Sequence, residues 1–242
     1  MNTTFSELKR CARKSLTGHY RVPCYTFLLA ILFTTILTVI LESVSGIGTP
    51  GYTPGLFQYI IYFLASFFIS VLSTLLLCGR SRIHLELTAG NAVSNRDLFY
   101  AFRFHSNKFI LASMLFSLVL FLCSLPVNCI YLFPAFRENS VYTLAWYVLA
   151  LAGGIIALLF SLAYAFVFFL LIERPEITVP EAFRGSRELM KGRKWKFFVL
   201  NLSFIGWYLL GILSLCIGYV WIIPYVMQTY TEFYKNCPEK TK

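Results

Sequence analysis

Leu56–Cys78 reads LFQYIIYFLASFFISVLSTLLLC, with no Asp, Glu, Lys or Arg, and the chain then passes directly to Gly79-Arg80-Ser81-Arg82. At about 1.5 Å of rise per residue a helix over this run covers the roughly 30 Å hydrocarbon core of a bilayer. Working outward, similar runs lie at about 24–41, 108–125, 144–172, 196–215 and 218–234. The run within Val141–Ile172 is too long for a perpendicular crossing, so it tilts or protrudes. The segment from Phe197 to Tyr234 carries no charge before Glu232, and a tight turn near Cys216-Ile217-Gly218 divides it into two spans. A large soluble core is excluded, because several runs reach the roughly 20 residues a membrane crossing needs. The composition agrees: 58% of residues are hydrophobic and only 13% are charged, about half the charge of an ordinary soluble domain.

The cations fix an orientation. Of the 21 Lys and Arg, all except Arg137 fall before the first run, between the second and third, between the fourth and fifth, or after the sixth. By the positive-inside rule this predicts six spans with both termini cytoplasmic. The formal charge of +10 therefore points to a membrane surface and not to nucleic acid, since no soluble domain presents the charge. The first run is too long for the h-region of a cleaved signal peptide and is expected to stay as an anchor.

Between the spans lie amphipathic segments. In Thr4–Thr17, Thr4 and Glu7 have capping-box spacing; Phe5, Leu8, Ala12 and Leu16 form one face, and Lys9, Arg10, Arg13 and Lys14 the other. A second short helix is expected near Asn95–Phe104. A third opens at Thr178 with Pro180-Glu181, placing Ala182, Phe183, Leu189 and Met190 opposite Arg184, Arg187, Glu188 and Lys191. Such helices suit the membrane interface. Starts near Thr4, Ser94 and Thr178 fit a threefold internal repeat or three unrelated interfacial helices, and pattern alone leaves both open.

Catalytic chemistry is scarce. Asp97 is the single aspartate, and His19, His84 and His105 lack ligand spacing. No H-E-x-x-H, P-loop, G-x-S-x-G or G-x-G-x-x-G occurs. The seven cysteines are odd in number and form no C-x-x-C pair, which argues against a disulfide framework or zinc site. No cofactor or metal is expected. Packing chemistry is present instead: Ala150, Gly154, Ala157, Ser161 and Ala165 form a small-residue stripe, with Gly206 and Gly211 candidates for the same use. Pro126 is expected to end or kink the third span and Pro224 to kink the last. Asn128, Asn201, Ser203 and Gln228 are polar groups in apolar surroundings, expected to bond between helices. Glu232, one turn from Gln228, reads either as a boundary carboxylate paired with a nearby Lys or Arg or as part of a solute path.

The run Ser186-Arg187-Glu188-Leu189-Met190-Lys191-Gly192-Arg193-Lys194-Trp195, followed by Leu202–Trp207, Gly218, Trp221, Pro224-Tyr225 and Phe233-Tyr234, resembles an uncharacterised bacterial family of integral membrane proteins catalogued as domain of unknown function nine-seven-five. Leu8-Lys9, Ala12-Arg13, Leu16 and Gly18 resemble that family's opening; where the family often has Pro-Gly, this chain has Gly153-Gly154. The family is similar in layout to the membrane domain attached to some glycerophosphodiester phosphodiesterases, whose catalytic domain this chain lacks. The resemblance implies fold and membrane location, and no activity.

The expected protein is an all-α polytopic membrane helix bundle, six transmembrane helices plus three interfacial amphipathic helices, in one domain of a bacterial plasma membrane. A non-enzymatic envelope-organising or lipid-surface role is expected. Lys9, Arg10, Arg13, Lys14, Arg184, Arg187, Lys191, Arg193 and Lys194 are the candidates for contact with anionic phospholipids, or serve only to set topology. The alternative is a transporter or permease-like component whose path runs near Asn201, Ser203, Gln228 and Glu232. Expected partners are the bilayer and a second membrane protein.

Overall fold

The computed structural model describes residues 4–47, 55–129 and 140–237. Helix α1 (Phe5–Leu16) precedes α2 (Arg21–Ser45) and α3 (Leu56–Thr88). A 3-10 turn (Asn95–Phe99) runs into α4 (Tyr100–Arg103), then come α5 (Ser106–Cys129) and α6 (Ser140–Ala163). The chain continues with α7 (Val167–Glu173), α8 (Val179–Leu189), α9 (Lys194–Leu202), α10 (Ile205–Leu213) and α11 (Tyr219–Lys235). No strand occurs among the described residues, and the molecule is an all-α polytopic membrane helix bundle. Arg137, Lys240, Lys242 and the Asn128 side chain lie outside the described residues.

Five stretches among the described residues are long and apolar enough to cross a membrane: Arg21–Ser45, Leu56–Thr88, Ser106–Val127, Tyr142–Glu173 and Lys194–Leu213. They overlap the first five expected runs. The sixth run, 218–234, forms a shorter helix. It is α11, of 17 residues, and its second half is buried, including Gln228, Thr229, Thr231 and Glu232. Those side chains need polar partners, which lipid cannot give, so this half packs within protein. Pro126 does not end its helix, since α5 continues to Cys129, and Pro224 sits inside α11.

The chain divides into two compact units. One comprises the described residues of Met1–Ile31, Leu75–Phe109 and Leu162–Lys242; the other is Leu32–Thr74 with Ile110–Ser161. The second unit is rich in exposed Leu, Ile, Val and Phe, among them Leu32, Phe57, Phe68, Leu144 and Leu151, as lipid contact requires. Inside it Thr74 and Ser117 hydroxyls meet at 3.1 Å, and Phe63 and Phe67 pack edge-on to Phe121. The close helix approach comes one residue away from the expected stripe. A Cβ on Gly153 would lie 2.3 Å from the Cys123 carbonyl oxygen, whereas one on Gly154 meets nothing.

The first unit carries a local design three times. Glu7 accepts the Thr4 N–H at 2.8 Å, Asp97 the Ser94 N–H at 2.8 Å, and Glu181 the Thr178 N–H at 2.7 Å. That hydrogen bond is the chief reason the exposed Glu7 and Glu181 carboxyls sit below the usual glutamate range. Four residues after each cap stands a buried apolar residue: Leu8, Leu98 and Ala182. Each segment ends near a residue in the left-handed region, Gly18 (φ 83°), His105 (φ 48°) and Gly192 (φ 77°), and a membrane-length stretch starts soon after at Arg21, Ser106 and Lys194.

These amphipathic helices bury their apolar faces in protein. Leu8, Ala12 and Leu16 of α1 are covered, and α1 packs against α11; Val179, Ala182 and Ser186 of α8 are covered, and α8 packs against α7. What the amphipathic pattern leaves toward the surroundings is the basic side. The fourth span also breaks, at Tyr164–Phe166, between α6 and α7. The fully buried Ser186 hydroxyl bridges the break, accepting from Phe166 N and donating to Ala163 O, each at 3.2 Å. Ser186→Ala strands both backbone groups, and thermal melting of the purified protein is expected to show a loss of about 2 kcal/mol; an unchanged melt would refute this bridging role.

The expected turn at Cys216-Ile217-Gly218 is present, with Leu215 (φ 53°) and Cys216 (φ 68°) both left-handed. Ser214 Oγ accepts from Gly218 N at 2.8 Å and holds it closed. Of the two glycines singled out nearby, Gly211 is the tight one, against the Tyr219 ring, while Gly206 faces open space.

Candidate functional site

The apolar run of α3 ends at Gly79, but the helix continues for nine residues, to Thr88. On this extension Arg80, His84 and Thr88 recur at i, i+4 and i+8, hence on one face. Gln228 and Glu232 recur at i and i+4 on α11. The two rows meet in the first unit. His84 Nδ1 lies 2.7 Å from Gln228 Oε1. Because an amide oxygen only accepts, Nδ1 donates. Gln228 Nε2 donates to Thr88 Oγ1 at 2.7 Å. The single Thr88 hydroxyl proton is shared between His84 O at 3.1 Å and Glu232 Oε1 at 3.4 Å. Ser15 Oγ of α1 donates to the same Glu232 oxygen at 3.1 Å.

The cluster is withdrawn from the surroundings: His84 is 1% exposed, Gln228 0% and Glu232 7%. Glu232 forms no ion pair with Lys or Arg among the described residues, so the expectation of a basic partner is corrected. Two hydroxyls serve it instead. At the other end of the row, Arg80 places its guanidinium 5.0 Å from the centre of the Phe27 ring and donates to Met227 Sδ at 2.9 Å. The cluster thus ties three helices distant in sequence in one register, and it holds an imidazole and a carboxylate out of water.

The four residues of the expected solute path do not gather. Gln228 and Glu232 belong to this cluster. Asn201 accepts from the Tyr230 hydroxyl and donates from Nδ2 to Phe197 O at 2.7 Å. Ser203 Oγ turns back to Leu200 O at 2.6 Å, and its carbonyl receives Lys9 Nζ at 3.0 Å. Asn201 borders an aromatic cluster in which Phe166 packs against Phe169, Phe197, Phe233 and Tyr234. Tyr234 donates to Glu173 at 2.7 Å, and Lys235 pairs with the same carboxylate.

The nine basic candidates also divide. Arg10, Arg13, Lys14, Arg184, Arg187 and Lys191 are exposed, while Lys9, Arg193 and Lys194 are half-buried. Lys9 lies 4.3 Å from the centre of the Phe204 ring, and burial pulls its ammonium below the usual lysine range. Arg193 Nη1 donates to Leu189 O at 2.8 Å, closing the end of α8. None of the nine has a carboxylate ion pair among the described residues. Sequence reasoning missed Ser15, Arg80, His84 and Thr88. The signal for the last three was their four-residue spacing past the end of an apolar run.

Among the described residues no three His, Cys, Asp or Glu side chains come together as a metal site would require. The family model described as protein of unknown function DUF975 matches residues 1–241, and the chain belongs to that family. No curated protein and no solved structure matches it.

Proposed function

We propose that this family member is a non-enzymatic, multi-pass protein of a bacterial plasma membrane, with both termini cytoplasmic, and that its basic helices engage anionic phospholipid headgroups to organise the surrounding envelope. The observation that carries the reading is the disposition of α1 and α8. Their apolar faces are spent on α11 and α7, so Arg10, Arg13, Lys14, Arg184, Arg187 and Lys191 remain exposed without carboxylate partners among the described residues. Unpaired cations beside a membrane attract anionic lipid at about 1 kcal/mol each. The transporter alternative gains less support, since Asn201 and Ser203 bond away from Gln228 and Glu232.

The test is lipid selectivity. In the reconstituted protein, spin-labelled phosphatidylglycerol is expected to associate at least twofold more strongly than phosphatidylcholine. The preference should vanish when the six exposed cations are changed to Gln, and fade in 1 M salt, where the screening length falls to about 3 Å. Equal association of the two lipids with the unmodified protein would defeat the proposal.

A further inference from the structure

The threefold design permits an internal comparison. In the second copy the cation at the foot of the membrane helix, Lys108, is seated by protein: its Nζ donates to Pro175 O at 2.6 Å and Ile177 O at 3.1 Å, on the segment leading into the third cap. The corresponding cation of the first copy is Arg21. With Val22 and Tyr25 it lines a cavity of about 370 Å³ whose other wall is the second cap itself, Val93, Ser94 and Asn95. Among the described residues the Arg21 guanidinium, the Tyr25 hydroxyl and the Asn95 amide have no hydrogen-bond or ion-pair partner. The one aspartate nearby is committed elsewhere: Asp97 takes the Ser94 N–H at 2.8 Å and faces Arg82 at 3.8 Å.

The geometry points to the Arg21–Tyr25–Asn95 cavity as a binding site for the phosphate headgroup of a single anionic phospholipid. Three exposed side chains that can donate line it. A guanidinium offers paired N–H groups to phosphate oxygens, an amide adds another, and the phenol a third. The volume falls within the about 300–1,000 Å³ of small-molecule sites. A lipid, and not free phosphate, is the occupant because the cavity opens at the first turn of a membrane helix. Just beyond Tyr25 the same helix exposes Leu28 and Ile31, against which acyl chains can lie. The site deepens the lipid-surface reading and rests on it, but it requires one stoichiometric lipid where the basic helices require only a selective shell.

The experiment is native mass spectrometry of the full chain released from detergent, with phosphatidylglycerol, phosphatidylcholine or inorganic phosphate added. The unmodified protein is expected to retain one phosphatidylglycerol in preference to phosphatidylcholine. Arg21→Gln should cut that population at least fivefold, Arg21→Lys less, and Asn95→Asp, which sets a carboxylate opposite the guanidinium, as much as Arg21→Gln. Arg103→Gln, which removes an exposed cation that does not line the cavity, should leave it unchanged. Retention at the unmodified level in Arg21→Gln and Asn95→Asp overturns the proposal, as does equal retention of phosphatidylcholine. Displacement of the lipid by millimolar phosphate overturns it too, in favour of a free-phosphate site. If the six-cation variant loses shell selectivity yet keeps its bound lipid, the cavity stands by itself. If the shell preference is absent while Arg21→Gln still loses its lipid, only the surface reading fails.

Discussion

Gly79→Ala is expected to be among the most damaging single-methyl changes in this protein. A Cβ at that position would lie 1.9 Å from the Leu98 carbonyl oxygen and 2.4 Å from its carbon. Both are backbone atoms of the 3-10 turn, so no side-chain rotation relieves the clash. The turn must lift off α3, and with it Leu98, fully buried in a cluster with Ala30 and Leu76. Overpacking of this kind costs about 3 kcal/mol or more, which corresponds to a fall in Tm of roughly 10 °C for a chain of this size. Gly154→Ala is the control. Its Cβ meets nothing, and alanine is the better helix former, so that variant should melt at or slightly above the parent. A Gly79→Ala protein melting within a degree of the parent would refute the close approach.

Gln228→Leu should cost about 3 kcal/mol. It removes the acceptor for the buried His84 Nδ1 and the donor to the half-buried Thr88, and each buried group left unpaired costs about 1–3 kcal/mol. The informative variant is the pair. Once His84→Leu is added, one stranded group is gone, and the double variant is expected to be at least 1 kcal/mol more stable than the sum of the two single losses predicts. Strict additivity in a thermal or denaturant cycle would mean that the two side chains do not depend on each other.

Much of the fold is legible in sequence because hydrocarbon is an unforgiving solvent. Uncharged runs, cations at their feet and three caps with a carboxylate three residues on are local signals, and five membrane-length helices follow from them. What was not legible depends on partners. The choice between Gly153 and Gly154 as the contact residue is a rotation of about 100° around one helix, which no pattern fixes until the facing helix is in place. Glu232 looked like a carboxylate awaiting a lysine, since sequence cannot show that Ser15 and Thr88 arrive first. Arg80 counted only as a topological charge, and His84 only as a histidine without ligand spacing, for the same reason. Arg21 was counted as one topological charge among many; only comparison with seated Lys108 marks it as unoccupied. The break at Tyr164–Phe166 had no proline or glycine to announce it, because a serine twenty residues later repairs it.

The covering of α1 by α11 has a consequence for biogenesis. The ribosome adds about 5–20 residues per second, so the first helix waits roughly 10–40 s before the last can shelter Leu8, Ala12 and Leu16. Throughout that interval it is a greasy, cationic ribbon with nowhere but the water–lipid boundary to rest. A nascent chain halted before Tyr219 would keep that ribbon bare, giving membrane proteases a means of telling an abandoned product from a finished one.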